Sequence, residues 1–263
     1  MPLERALSKL GVASRSQTRE WTLKGRLQVN GHTVRDTMLM VSPETDRFTV
    51  DGKPMRNDGW LAIMLNKPKA VVTTKSDEKG RRTVFNLLPS ELGTLHPVGR
   101  LDMATTGLLI LTNDTRLSSY LTDPVNKVLR TYVVTVAGEI TEPELAKART
   151  GIMDDGELLK PAEITLRKAS GRESHLVVKL TGGRNREIRR LCAALGHEVT
   201  QLKRVAYGPL QLGALEPGRY RRLTREELNI KPPAAPAAKK LPPPPPWARD
   251  KRKRKMPPGR RNH

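Results

Sequence analysis

Residues 60–230 predict an α+β fold, because short apolar runs alternate with amphipathic helical stretches and no repeat of fixed period is present. Two breaks in pattern divide the rest. Residues 1–52 read as a small separate module of two helices and a hairpin, and residues 231–263 turn Pro-rich and basic.

In the module, Leu3, Leu7 and Leu10 recur at helical spacing and Gly11 stops that helix. Ser14 is placed to cap a second helix that runs to about Lys24 and carries Arg15, Arg19 and Lys24. After Gly25 the pattern becomes alternation, with Leu27 and Val29, a tight Asn30-Gly31 turn, and Val34 beyond it. In the larger region the best strands are 61–65, 108–111, 132–136 and 176–180. Helices are expected near 117–121, 142–148 and 186–195, the last ending at Gly196. The final segment holds five prolines at 242–246 and a basic run at 251–255, a composition that cannot build a core and predicts disorder. Such a tail serves either as a basic arm on a polyanion or as a solubilising extension.

Charge narrows the partner. The chain carries 48 Lys and Arg against 27 Asp and Glu, a formal charge of +21. Residues 231–263 contribute 11 basic residues and one acidic, so residues 1–230 are basic in their own right at +11. A nucleic acid is the partner this favours. Cys192 is the only cysteine, which excludes an intramolecular disulfide and a cysteine-rich zinc site and fits a reducing, cytoplasmic setting. No segment has the length of a membrane span and the first residues lack the apolar core of a secretory signal, so a soluble chain is expected. A Walker A loop, a dinucleotide fingerprint after a strand and a deaminase zinc spacing are all missing, and no metal site is expected.

The stretch Gly99-Arg100-Leu101-Asp102-Met103-Ala104-Thr105-Thr106-Gly107-Leu108-Leu109-Ile110-Leu111 puts one carboxylate in a Gly-flanked turn directly before an apolar strand. A turn packed on a strand holds a side chain rigidly, and Arg100 favours the ionised form of Asp102. The same residues also suit a turn cap beside a solvated surface charge. Asn66-Lys67-Pro68 follows the first strand, Arg130-Thr131-Tyr132 opens the third, and Leu180-Thr181-Gly182-Gly183-Arg184-Asn185-Arg186-Glu187-Ile188-Arg189-Arg190-Leu191 runs from a strand end into a basic helix.

Taken in order, these segments resemble the motifs of the ribosomal RNA pseudouridine synthases, over about residues 3–228. Residues 11–31 look like an S4 domain of the α-L type, a small RNA-binding module. The resemblance implies a mixed or antiparallel-sheet catalytic domain behind that module. It also implies isomerisation of one uridine, without a cofactor: uracil leaves C1′, turns, and rejoins through C5. Asp102 is then the catalytic residue, attacking either the uracil ring or the sugar. Arg100 extrudes the target nucleotide or fills its gap, Tyr132 stacks on the base, Leu180 packs against it, and Arg189 pairs with Asp102. Arg15, Arg19, Lys24, Arg26, Lys67, Arg184, Asn185 and Arg186 fall to RNA binding. Ala70 stands where the first motif usually has Gly, which puts the path of that turn in question. By analogy the substrate is ribosomal RNA or an assembly intermediate, large-subunit rather than small-subunit RNA, and the protein a monomer. The competing reading is a non-catalytic S4-type RNA-binding or ribosome-assembly factor. Against it, binding alone has no need of a carboxylate facing a phosphate-rich partner.

Overall fold

The computed structural model describes residues 1–55, 59–75, 77–92 and 95–229. The Pro-rich basic segment, expected to be disordered, lies outside the described residues.

Local signals set the first elements. Helix α1 spans Leu3–Lys9 and α2 spans Arg15–Leu23. Ser14 Oγ accepts from the Gln17 amide at 3.1 Å while Gln17 Oε1 accepts from the Ser14 amide at 3.0 Å. This reciprocal cap satisfies two N–H groups that the helix start leaves unpaired. Strands β1 (Leu27–Val29) and β2 (His32–Thr33) meet through Asn30 and Gly31, with φ of +52° and +80°. Positive φ at both positions is what a two-residue hairpin turn of matching twist requires. Strands β3 (Phe48–Val50) and β4 (Lys53–Pro54) complete an antiparallel sheet in the order β2-β1-β3-β4. Leu3, Leu7, Leu27, Val29 and Phe48 give this module its own core.

The second region is built on a mixed sheet. Its first strands are β5 (Ala62–Lys67), β6 (His96–Pro97) and β7 (Thr106–Thr112), followed by helix α3 (Thr115–Thr122) and strand β8 (Arg130–Ala137). Helix α4 (Glu142–Thr150) leads to a small hairpin of β9 (Ile152–Asp154) and β10 (Glu157–Leu159). Strands β11 (Glu163–Ala169) and β12 (Glu173–Leu180) precede helix α5 (Glu187–Ala194). Strands β13 (Val199–Tyr207), β14 (Leu210–Gln211) and β15 (Tyr220–Arg222) and helix α6 (Arg225–Leu228) close the region. The sheet order is β11-β12-β8-β13-β7-β5-β15, with β14 on β13 and β6 on β7.

Strands β5 and β7 are covered on both faces, which explains their unbroken apolar sequence. Ile63, Leu65, Leu109 and Leu111 enter one core with Val134, Leu176 and Leu191. Ala62, Met64, Leu108 and Ile110 enter the opposite core beneath Leu117 and Leu121 of α3. Strand β12 is covered on one face and alternates accordingly. Cys192 is buried in the first core, and burial pushes its thiol up to about 12, so it stays protonated.

The β13–β7 pair is parallel, with Lys203 opposite Thr106 and Arg204 opposite Gly107. Gly107 has φ +102°, and a Cβ there would lie 2.2 Å from the Arg204 carbonyl oxygen. Only glycine lets the two backbones approach this closely. The approach fixes β13 against the strand that follows Asp102.

Candidate active site

Asp102 occupies a loop anchored on both sides. Thr73 Oγ1 donates to the Leu101 carbonyl at 2.8 Å and accepts from the Leu101 amide at 3.3 Å. On the other side, the Thr105 amide donates to the Asp102 carbonyl at 3.0 Å, and the Ala70 amide to the Met103 carbonyl at 2.9 Å. Ala70 makes that contact with φ +63°, the left-handed region for which glycine is suited. The turn whose path the sequence left in question therefore follows the glycine-like route with an alanine in it.

Lys67 is the third anchor, and here the structure corrects the sequence reading. Expected among the RNA-contacting cations, it is instead 0% exposed. Its Nζ donates to the carbonyls of Thr105 at 2.8 Å, Pro68 at 3.1 Å and Met103 at 3.4 Å. Two of those carbonyls, Met103 and Thr105, follow Asp102 within three residues. Burial lowers the Lys67 ammonium from 10.5 to about 8, against the opposing pull of the Asp102 charge. Lys67 is the last residue of a doubly covered strand, so its side chain has the interior and not solvent on its side.

The Asp102 carboxylate remains exposed and opens onto a cavity of about 300 Å³. Arg100, Tyr132 and Leu180 line this cavity with it, as do Arg184, Asn185 and Arg186 at the start of α5. Tyr132 and Leu180 are buried among the core residues beneath, which leaves little freedom for either side chain. Arg186 caps α5 with φ +49°. Arg184 donates to the Leu158 carbonyl, and Arg190 grips Asp154 at 2.5 Å and Glu157 at 2.6 Å, so the β9–β10 hairpin is tied to this helix start.

Arg189 differs from the expected geometry. Its Nη1 donates to the Val199 carbonyl at 2.9 Å, and it forms no ion pair with Asp102. The two charges still act on each other through space: burial and the Arg186 charge lower the Arg189 pKa, and Asp102 opposes them. A separation beyond direct contact is consistent with a carboxylate left free for a ligand.

The four module cations stand apart from the cavity lining. All four are exposed. Arg19 pairs with Glu4 at 3.0 Å, Lys24 with Glu20 at 2.8 Å and Arg26 with Asp51 at 2.5 Å. These surface pairs are weak, so a phosphate can compete for each cation.

Three cavity residues that the sequence reading did not single out stand together. Arg130, Arg204 and Tyr207 form one wall. The Arg130 and Arg204 guanidinium carbons lie 5.0 and 4.9 Å from the centre of the Tyr207 ring. Tyr207 OH donates to the Leu121 carbonyl at 2.8 Å and accepts from Arg130 Nη2 at 3.1 Å. Little in the sequence marks them: Arg204 follows Lys203 in a polar stretch, and Arg130 stands beside Thr131 at a strand start. Among the described residues, no three His, Cys, Asp or Glu side chains cluster as metal ligands would.

The cavity sets the Asp102 carboxylate, with Glu187 deeper in the wall, among several arginines. The family model for RNA pseudouridylate synthase matches residues 62–194, which include the Asp102 loop, Tyr132 and the start of α5. An uncharacterized RNA pseudouridine synthase of Aquifex aeolicus is 37% identical over 227 residues, covering 86% of this chain and 91% of the relative. The ribosomal large subunit pseudouridine synthase B of Bacillus subtilis is 34% identical over 228 residues, covering 86% and 93%. A pseudouridylate synthase crystal structure superposes with a TM-score of 0.62 at 30% identity, covering 87% of this chain and 98% of that one. The chain belongs to the RNA pseudouridine synthase family, and it is an enzyme of that class.

Proposed function

We propose that this protein converts one uridine of ribosomal RNA to pseudouridine, with Asp102 as the catalytic carboxylate. The observation that carries the reading is the pinned Asp102 loop, with its carboxylate facing a cleft lined by Tyr132 and several arginines. The C1′–N1 bond breaks, uracil turns, the C1′–C5 bond forms, and the C5 proton leaves as N1 gains one. These changes balance without a cofactor. Asp102 supplies the charge that this exchange requires at C1′ or on the ring. Tyr132 stacks on the base, a contact typically worth about 1–3 kcal/mol, and Leu180 packs against it. Arg100 fills the space left by the extruded nucleotide. Arg189 acts on the Asp102 charge through space and not through an ion pair.

The N-terminal module, residues 1–52, serves as an S4-type docking domain, with Arg15, Arg19, Lys24 and Arg26 on RNA phosphates. Arg184, Asn185 and Arg186 hold the backbone at the cleft mouth. Residues 60–230 form the catalytic domain, and the basic segment at 231–263 adds nonspecific affinity. Relatives named for the large ribosomal subunit occur in both Bacillus subtilis and Pseudomonas aeruginosa. They favour large-subunit RNA, free or in an assembly intermediate, acted on by a cytoplasmic monomer. The test is incubation with unmodified large- and small-subunit RNA, followed by carbodiimide labelling and primer extension. One new stop on large-subunit RNA is expected. A stop on small-subunit RNA alone refutes the assignment, and no stop on either with binding intact favours the assembly factor.

A further inference from the structure

Two guanidiniums are built into the wall of the cleft with little to balance them. Arg204 is 2% exposed and Arg130 is 5% exposed. Arg130 is held by neutral groups: its Nη1 donates to the carbonyls of Thr181 at 3.0 Å and Gly182 at 2.5 Å, and its Nη2 to Leu121 O and the Tyr207 hydroxyl. Arg204 Nε donates to the Leu108 carbonyl at 2.7 Å. Its Nη2 is buried and has no hydrogen-bond partner. Glu187 feels the Arg130 charge, but burial pushes its carboxyl up and it already accepts from the Arg184 amide.

A buried donor left unpaired is costly, and a buried cation without a counter-ion more so. An acceptor arriving with the ligand removes both costs. A uridine nucleotide brings two kinds of acceptor into the cleft, neutral uracil carbonyls and anionic phosphate oxygens. Two under-compensated cations at low dielectric favour the anion. The strand that carries Arg204 is fixed by the close β13–β7 contact at Gly107 and Arg204 lines the cavity, so a small shift of its side chain brings the covered Nη2 to an entering acceptor. We infer that Arg204, backed by Arg130, forms a phosphate subsite in the cleft wall that takes a phosphodiester oxygen of the entering uridine nucleotide. This rests on the reading that such a nucleotide enters the cleft.

The test is titration of the full chain, followed by NMR, with uridine, uridine 3′-monophosphate and uridine 5′-monophosphate. About 1 M salt, where the screening length is about 3 Å, suppresses the exposed Arg100, Arg184 and Arg186. One monophosphate is expected to bind the wild type at least roughly tenfold more tightly than uridine. Arg204→Met should bring the ratio close to one while uridine affinity holds. Where loss of the Leu108 bond prevents that variant from folding, Arg204→Lys keeps the charge, loses the planar fork, and should lower the ratio several-fold. Equal binding of all three ligands to the wild type overturns the subsite alone. So does a preference that survives substitution. Binding of none of them overturns the nucleotide reading as well.

Discussion

Lys67 shows how one buried side chain can fix a loop from within. Its ammonium fastens carbonyls beside Asp102, and its proton is held less tightly in the folded chain than in the unfolded one. From about pH 8 to 10.5 the unfolded chain therefore binds a proton that the folded chain has released, so stability rises with pH through that window. Across it the gain is on the order of 3 kcal/mol. Urea midpoints of the wild type, measured against Lys67→Met, should climb across that window; a constant difference between the two proteins would refute the assignment. Ala70 offers a simpler test. Its φ of +63° carries strain that glycine lacks, and Ala70→Gly should raise stability by roughly 0.5–1 kcal/mol, the strain of about 1–2 kcal/mol less the entropy glycine adds to the unfolded chain. A loss of stability on denaturant titration would show that the turn is unstrained. The burial of Lys67 was not legible in the sequence, because the motif does not say which way a lysine at a strand end points, whereas Ala70 in a position that usually holds Gly had already marked that turn. The capping of α2 by Ser14 and the Asn30-Gly31 turn were legible, since both are decided within four residues.

Strands announce themselves when burial is uniform. The apolar runs of β5 and β7 could be read directly because both faces are covered, and β12 because one is. Strand β13 could not: it carries Thr200, Gln201, Lys203 and Arg204, and its pairing with β8 shifts register between Val199 and Gln201 and again between Arg204 and Ala206. Those irregularities break the alternation that sequence reading depends on. Strand β11 is an edge bearing Arg167 and Lys168, so its charges looked like loop. The missed strand is the one that brings Arg204 and Tyr207 to the cleft, which is why that wall was missed with it. Its seat on β7 depends on Gly107. Gly107→Ala should destabilise by about 3 kcal/mol or more, since the added carbon meets backbone that cannot step aside. Thermal denaturation checks this, and a near-neutral effect would mean that the parallel pair can separate without cost.

At the scale of the whole molecule, the proposed function divides the work between a docking module and a catalytic region. Changing Arg15, Arg19, Lys24 and Arg26 together to Gln should reduce the slope of log affinity against log salt by about 3 for RNA contacted as single strand, if all four meet phosphates. The catalytic step on bound RNA should be unaffected. An unchanged slope would remove the module from docking. Charge favoured a nucleic-acid partner from composition alone, and the ordered motifs together carried the resemblance to the pseudouridine synthases, but the cleft itself exists only once strands distant in sequence are paired. The most direct test of the account is tritium release from C5-labelled uridine in unmodified ribosomal RNA, comparing wild type with Asp102→Asn, which removes the charge with little change in shape. Release by the wild type and none by the variant, at equal RNA affinity, is the predicted result; release at comparable rates by both would contradict the role of Asp102.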